Sequence, residues 1–162
     1  PPGAPAPTQK TLDQIAPVWS QVLAANDGPD TCHSSRFLCV LSDAAVLDRE
    51  TGLVWERVPS ATPQANWFVA RHGCRALSVG GRKGWRVPSE EELMSLLGGA
   101  ISGHPFTLSA TVAYWTATTL SELPTSAIAV LSPSNATAGT VAKTDATRLK
   151  WCVRGGSADD LG

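Results

Sequence analysis

No stretch of this 162-residue chain approaches the roughly 18 consecutive apolar residues that a membrane-spanning helix needs, so no membrane insertion is expected. Neither sign of charge is in excess. Lys and Arg number 13 against 14 Asp and Glu, a formal net charge of -1, which gives no general pull toward nucleic acid or an anionic membrane surface. The four Cys lack the paired C-x-x-C knuckles of a structural zinc site, and the three His are scattered at positions 33, 72 and 104. No metal or cofactor is therefore expected. A Cys or Ser hydrolase needs a base beside its nucleophile and a third group to orient it. His72 lies two residues before Cys74, a spacing that on a helix turns the side chains roughly 200° apart. His104, in Gly-His-Pro-Phe, reads as a loop residue bonded to backbone. No catalytic residue is nominated, and the chain is predicted not to be an enzyme.

What is present is the composition of one globular domain, 43% apolar and 17% charged, without an internal repeat. Residues 1–10 form a Pro-rich tail, extended as polyproline II or disordered, since proline blocks helix and central strand alike. Residues 11–25 carry Leu12, Ile15, Ala16, Trp19, Val22 and Leu23 at helical spacing and read as an N-terminal helix or stem. The absence of an initiator Met fits a mature exported product or a fragment of something longer. Short apolar segments at 37–40 and 44–47 predict strands, and Asp48 to Gly52 a tight turn before a return strand over 53–56. Thr62 and Pro63 predict the start of a helix whose inner face is Trp67, Ala70, Cys74 and Leu77, ended by Gly80 and Gly81. Ser89 with Glu92 forms a capping box for a second short helix carrying Leu93, Leu96 and Leu97 inward, stopped by Gly98 and Gly99. Residues 98–142 hold one charged side chain, Glu122, and predict strands and loops, with strands over 113–118, 127–131, 140–143 and 149–153.

Four signatures stand out: LDRETGLVWE (47–56), GGRKGWRVPSEEEL (80–93), AYWTATT (113–119) and WCVRGG (151–156). In kind, order and spacing they resemble the Lcl C-terminal domain family, named for a collagen-like bacterial surface adhesin. Val87 and Thr116 replace a usual Leu and Ser, both conservatively. The resemblance implies an α+β, C-type lectin-like fold with two short helices, a hairpin and several short, mostly antiparallel strands. That domain would span 26–157, with a tail at 158–162. It also implies a secreted or cell-surface location.

Four Cys permit three pairings. Under the resemblance Cys74 lies on the first helix and Cys152 on the last strand, where such folds place a long-range bridge, which leaves Cys32 with Cys39. Trp55, Trp67, Trp85, Trp115 and Trp151 are expected to be core, with Arg86 in a buried ion pair with a carboxylate such as Glu56. A calcium-dependent sugar site is not expected, because only Asn135 and Asp145 offer suitable oxygens near the C-terminal strands. The basic residues Arg71, Arg75, Arg82 and Lys83 are the candidate polyanion site, since guanidinium matches sulfate and carboxylate in a bidentate way. Some adhesins of the family engage sulfated glycosaminoglycans. The function expected is a non-catalytic extracellular binding module, an adhesin head for a glycan such as a sulfated polysaccharide, or for a surface protein. The alternative is a structural subunit of a surface filament or other ordered homo-assembly. Residues 1–25 are then expected to contact another copy, as a trimer stem or filament joint.

Overall fold

The computed structural model describes residues 32–97, 104–131 and 137–156. The Pro-rich tail, the stem with Trp19, the Gly98 and Gly99 stop, Asn135 and the C-terminal tail lie outside these residues. Ten elements follow in order: β1 (Phe37–Val40), β2 (Ala45–Asp48), β3 (Leu53–Glu56), α1 (Trp67–Ala76), β4 (Trp85–Arg86), α2 (Glu90–Leu97), β5 (Tyr114–Thr119), β6 (Ser126–Leu131), β7 (Thr137–Ala142) and β8 (Val153–Arg154). They make an α+β domain with two antiparallel sheets, ordered β1-β2-β3-β8-β4 and β5-β6-β7.

Strand side chains alternate from face to face, and here both faces are used. Val46, Leu53, Trp55, Tyr114, Ile128, Val130, Trp151 and Val153 enter one core with Leu93, Leu96 and Leu97 of α2. Their neighbours Ala45, Trp115, Ala127, Ala129 and Cys152 enter a second core with Trp67, Ala70 and Cys74 of α1. This explains the missing charge over much of 98–142. β5 and the described side chains of β6 are covered on both sides, and a charge there would have to be desolvated. Only β7, at the sheet edge, is mostly exposed. All five tryptophans expected in the core are buried. Where the second core is filled by Trp67, Trp85 and Trp115, the opposing strand positions are alanines, small against large.

The hairpin forms as its sequence predicts. Asp48 accepts from the Glu50 amide (3.1 Å) and the Thr51 hydroxyl (3.2 Å), and Gly52 takes φ 77° while its amide donates to the Asp48 carbonyl at 2.7 Å. The turn between β1 and β2 carries no such signal. Leu41, Ser42 and Asp43 all take the left-handed conformation (φ 54°, 55° and 64°), which costs a residue with Cβ roughly 1–2 kcal/mol. Arg57 holds this turn from the side, its amide donating to the Ala44 carbonyl and its guanidinium to that of Asp43.

Helix α1 starts later than Thr62 and Pro63 suggest. The amide of Gln64 donates to the Arg148 carbonyl and that of Trp67 to Lys143, both at 2.9 Å, so contacts with a distant loop keep this stretch out of the helix. Asn66 is the cap, its side chain accepting from the Val69 amide at 2.9 Å. Gly80 and Gly81 do not end the helix, which stops at Ala76. They form a turn, φ 55° and 73°, closed by paired backbone bonds between Val79 and Arg82. Gly80 is required there, since a Cβ would lie 2.7 Å from that of Leu41. The capping box forms as expected: the Ser89 hydroxyl accepts from the Glu92 amide (3.2 Å), and the Glu92 carboxylate accepts from the Ser89 amide (2.9 Å). Strand β7 begins at Thr137 rather than 140, and β8 is confined to Val153–Arg154, with Leu149 bridging in parallel to Tyr114.

Both disulfides pair as the resemblance implies, Cys32 with Cys39 and Cys74 with Cys152, at separations of 7 and 78 residues. The chain-entropy relation values the long bridge at about 4 to 5 kcal/mol and the short one at about 2. Urea unfolding of the two paired Cys→Ala variants is expected to reproduce that order. A short-bridge variant less stable than the long-bridge variant would contradict the assignment of α1 docking to Cys74 and Cys152.

Candidate functional site

Helix α1 turns Trp67, Ala70 and Cys74 inward. Residues Phe68, Arg71 and Arg75 fall on an adjacent stripe within about 60° of arc, because the helix advances 3.6 residues per turn. Arg71 and Arg75 line a small depression with Arg86, Val87 and Ala117. The Arg71 guanidinium also lies 4.7 Å from the Trp67 ring centroid. Burial first, and the like charge of Arg75 second, push the Arg71 pKa below its usual value.

Arg86 is the floor of this depression. Its Nη1 and Nη2 donate to the two Glu92 oxygens at 2.7 and 2.6 Å, a bidentate pair, and Nη2 also donates to the Gly155 carbonyl at 2.7 Å. The partner is therefore Glu92 and not Glu56. Glu92 lies on α2, where the capping box already aims its carboxylate at β4. Glu56 is engaged elsewhere, accepting from the Cys152 amide at 2.7 Å. Burial raises the Glu56 pKa, partly opposed by that bond and by Lys150. The glycines of WCVRGG leave room for Arg86: at Gly156 (φ 77°) a Cβ would lie 2.8 Å from its Nη2.

Of the four candidate cations, Arg71 and Arg75 line the depression. Arg82 and Lys83 occupy the exposed turn between α1 and β4, and neither lines the depression. Their carbonyls fix that turn, accepting from Trp85 Nε1 at 2.8 Å and Arg154 Nε at 2.7 Å. Two residues absent from the sequence reading belong beside Arg71. Lys143, just beyond β7, places its ammonium 4.1 Å from the Trp67 ring centroid and 5.8 Å from that of Phe68. Phe68 is 61% exposed. Phe68 was legible, since it falls off the inner stripe three residues before Arg71. Lys143 was not, because only the fold brings it to α1.

The other candidates are occupied in structural ways. His72 is exposed while Cys74 is buried in its disulfide. His104 Nδ1 accepts from the Phe106 amide at 3.2 Å, and burial lowers its pKa. Asp145 Oδ1 accepts from the amide (2.7 Å) and hydroxyl (2.6 Å) of Thr147. Cys32, Cys39 and Asp43 gather ligand-type atoms within 4.8 Å, but the two sulfurs are joined to each other and offer no thiolate.

Two antiparallel sheets with a helix on each of two cores, one helix bridged to the final strand, define the class of domain. The model of the Lcl C-terminal domain family matches residues 44–154, well over half of the chain, and the chain belongs to that family. β1 and the Cys32–Cys39 bridge precede the matched segment, although β1 pairs with β2 in the same sheet. No curated protein and no solved structure matches the chain.

Because Arg86 and Glu92 are both more than nine-tenths buried, removing one partner strands the other. Glu92→Ala is expected to cost about 3 to 5 kcal/mol in urea unfolding, and the double variant Arg86→Met with Glu92→Met to recover most of it. A double variant as unstable as the single would show that packing, not charge pairing, sets the cost.

Proposed function

We propose that this domain is a non-catalytic extracellular binding module, an adhesin head that engages a glycan or surface protein through the cationic face of α1. The observation that carries the reading is the convergence of Arg71 and Arg75 on one depression above Arg86, with Lys143 over the neighbouring Trp67 ring. No Asp or Glu lies between residues 57 and 89, so the segment carrying this face is itself purely basic. Family membership supports a surface-associated domain. The two disulfides support an oxidising compartment. No helix among the described residues is long and apolar enough to cross a membrane. A C-type lectin-like architecture is supported by the order hairpin, two helices, further strands, by the bridge from α1 to the last strand, and by β8 lying between β3 and β4. His72 diverging from a bridged Cys74, and His104 bonded to backbone, favour binding over catalysis.

A second reading, a subunit of an ordered homo-assembly, rests on β7. This strand is the outer member of its sheet, six residues long, uncharged and mostly exposed, without the lysines or proline that blunt natural edges.

Retention of the chain on a heparin column is the test, run against salt, because exposed charge pairs are screened within about 10 Å at 0.1 M. Arg71→Glu with Arg75→Glu is expected to abolish retention. Arg82→Glu with Lys83→Glu, on the separate turn, is expected only to weaken it. Equal effects would return the site to a diffuse surface charge. No retention, combined with a mass that climbs with concentration in light scattering, would favour the assembly reading instead.

A further inference from the structure

The loop that Cys32 and Cys39 close is zipped by its backbone as well as by its bridge. The Cys39 amide donates to the Cys32 carbonyl at 3.0 Å and the Ser34 amide to that of Phe37 at 3.1 Å, while the Phe37 amide donates to the Ser34 hydroxyl at 2.9 Å. His33 and Leu38 pair between them as an antiparallel bridge. These contacts hold the two cysteines opposite each other whether or not their sulfurs are joined.

Asp43 is brought to the same place by the turn between β1 and β2. Leu41, Ser42 and Asp43 are all left-handed there without a glycine, and backbone held in such a region tends to mark a functional position. Arg57 fixes the turn by donating to the Asp43 carbonyl at 3.3 Å, and Asp43 itself stays exposed. An Asp43 oxygen and both sulfurs lie within 4.8 Å of one another. In a tetrahedral zinc site, with bonds of about 2.3 Å to sulfur and about 2.0 Å to oxygen, ligand atoms stand roughly 3.5 Å apart. The cluster therefore needs its S–S bond opened and a contraction of about 1 Å. Two thiolates and one carboxylate suit Zn²⁺, whereas Ca²⁺ and Mg²⁺ require more hard oxygens than this turn offers.

The two bridges differ in access. Cys74 and Cys152 are fully buried, whereas Cys39 is only partly covered, so a dithiol reaches Cys39 first. Its thiolate attacks the Cys39 sulfur, the S–S bond breaks and Cys32 leaves as a thiolate. The second thiol of the reagent then displaces Cys39 and closes as a disulfide. Two electrons and two protons have passed to the protein, and a zinc ion bound by both sulfurs releases those two protons.

We infer that Cys32, Cys39 and Asp43 form a redox-gated zinc site, closed while the cysteines are bridged and opened when a dithiol reduces them, with a fourth position left to water. All three residues precede residue 44, where the family match begins, so the site is a feature of this chain and not of the shared domain. A zinc ion there neither needs nor excludes a ligand on α1.

The full chain is treated with limiting dithiothreitol, freed of the reagent under argon, and titrated with Cd²⁺ as a spectroscopic stand-in and with Zn²⁺ against a chromophoric chelator. Alkylation and peptide mapping are expected to find Cys32 and Cys39 labelled while Cys74 and Cys152 stay bridged. The reduced chain is expected to bind one ion, with thiolate-to-metal charge-transfer absorption for Cd²⁺, and the oxidised chain none. Asp43→Asn is expected to weaken binding at least about tenfold. Glu122→Gln, in the exposed turn before β6, is expected to bind as the parent does. The near-ultraviolet signal of the buried tryptophans is expected to survive reduction, and its loss would show that the bridge and not the backbone holds the cysteines in place. Reduction of the long bridge first, no ion bound by the reduced chain, or equal binding by the oxidised chain overturns the proposal. An Asp43→Asn affinity equal to the parent's overturns the assignment of Asp43 and with it the three-ligand site.

Discussion

Trp151, Cys152 and Val153, the run that leads into β8, are fully buried in succession, and they enter the two cores alternately. Trp151 sits among Trp55, Phe106 and Tyr114, with ring centroids 4.9, 5.1 and 5.6 Å away, and donates its indole N–H to the Glu56 carbonyl at 2.8 Å. Cys152 faces the other way and is bonded to α1. Val153 pairs with Trp55 on one side and Arg86 on the other, placing β8 between β3 and β4. The partners of this last segment lie up to 96 residues earlier in the chain. Such long-range pairing carries a loop-closure cost that the buried aromatic cluster and the bridge must offset.

The orientation of α1 follows from that segment. Cys74 ties its inner face to β8, the Trp67 indole donates to the Thr116 carbonyl at 2.8 Å, and the Trp67 amide is held by Lys143. With one face fixed so firmly, the adjacent stripe is displayed in a set geometry. A binding constellation on a packed helix holds its shape better than one on a loop, because its side chains start from restrained backbone positions. Arg86, half floor of the depression and half structural clamp, links the display to the fold: its charge is already consumed by Glu92, and it supplies shape more than attraction.

Much of this was legible in the order of residues. The Asp48 to Gly52 turn, the Ser89 and Glu92 box, and the inward Trp67, Ala70 and Cys74 stripe are local patterns whose chemistry acts within a few residues. The pairing of Cys74 with Cys152 came from resemblance and not from spacing, which allowed other connections. What escaped was non-local. Asn66 caps α1 because Lys143 and Arg148, far along the chain, hold the preceding residues extended. Arg86 chose Glu92 over Glu56 because the Cys152 amide had taken the latter. Among the described residues after α2, β5 and β6 are uncharged because they are largely covered on both faces, and of these strands β7 is the one mostly exposed. The left-handed run Leu41 to Asp43 has no glycine to announce it.

The central proposal is that the fold pins the inner face of α1 so that Arg71 and Arg75 are presented to an anionic ligand as one unit. Amide chemical-shift mapping of the labelled chain with a heparin oligosaccharide tests this most directly. The account predicts that perturbations concentrate on residues 67–76 and Lys143, saturating together with a single affinity. Shifts confined to the Arg82 and Lys83 turn, or to the β7 edge, with α1 unmoved, would contradict it.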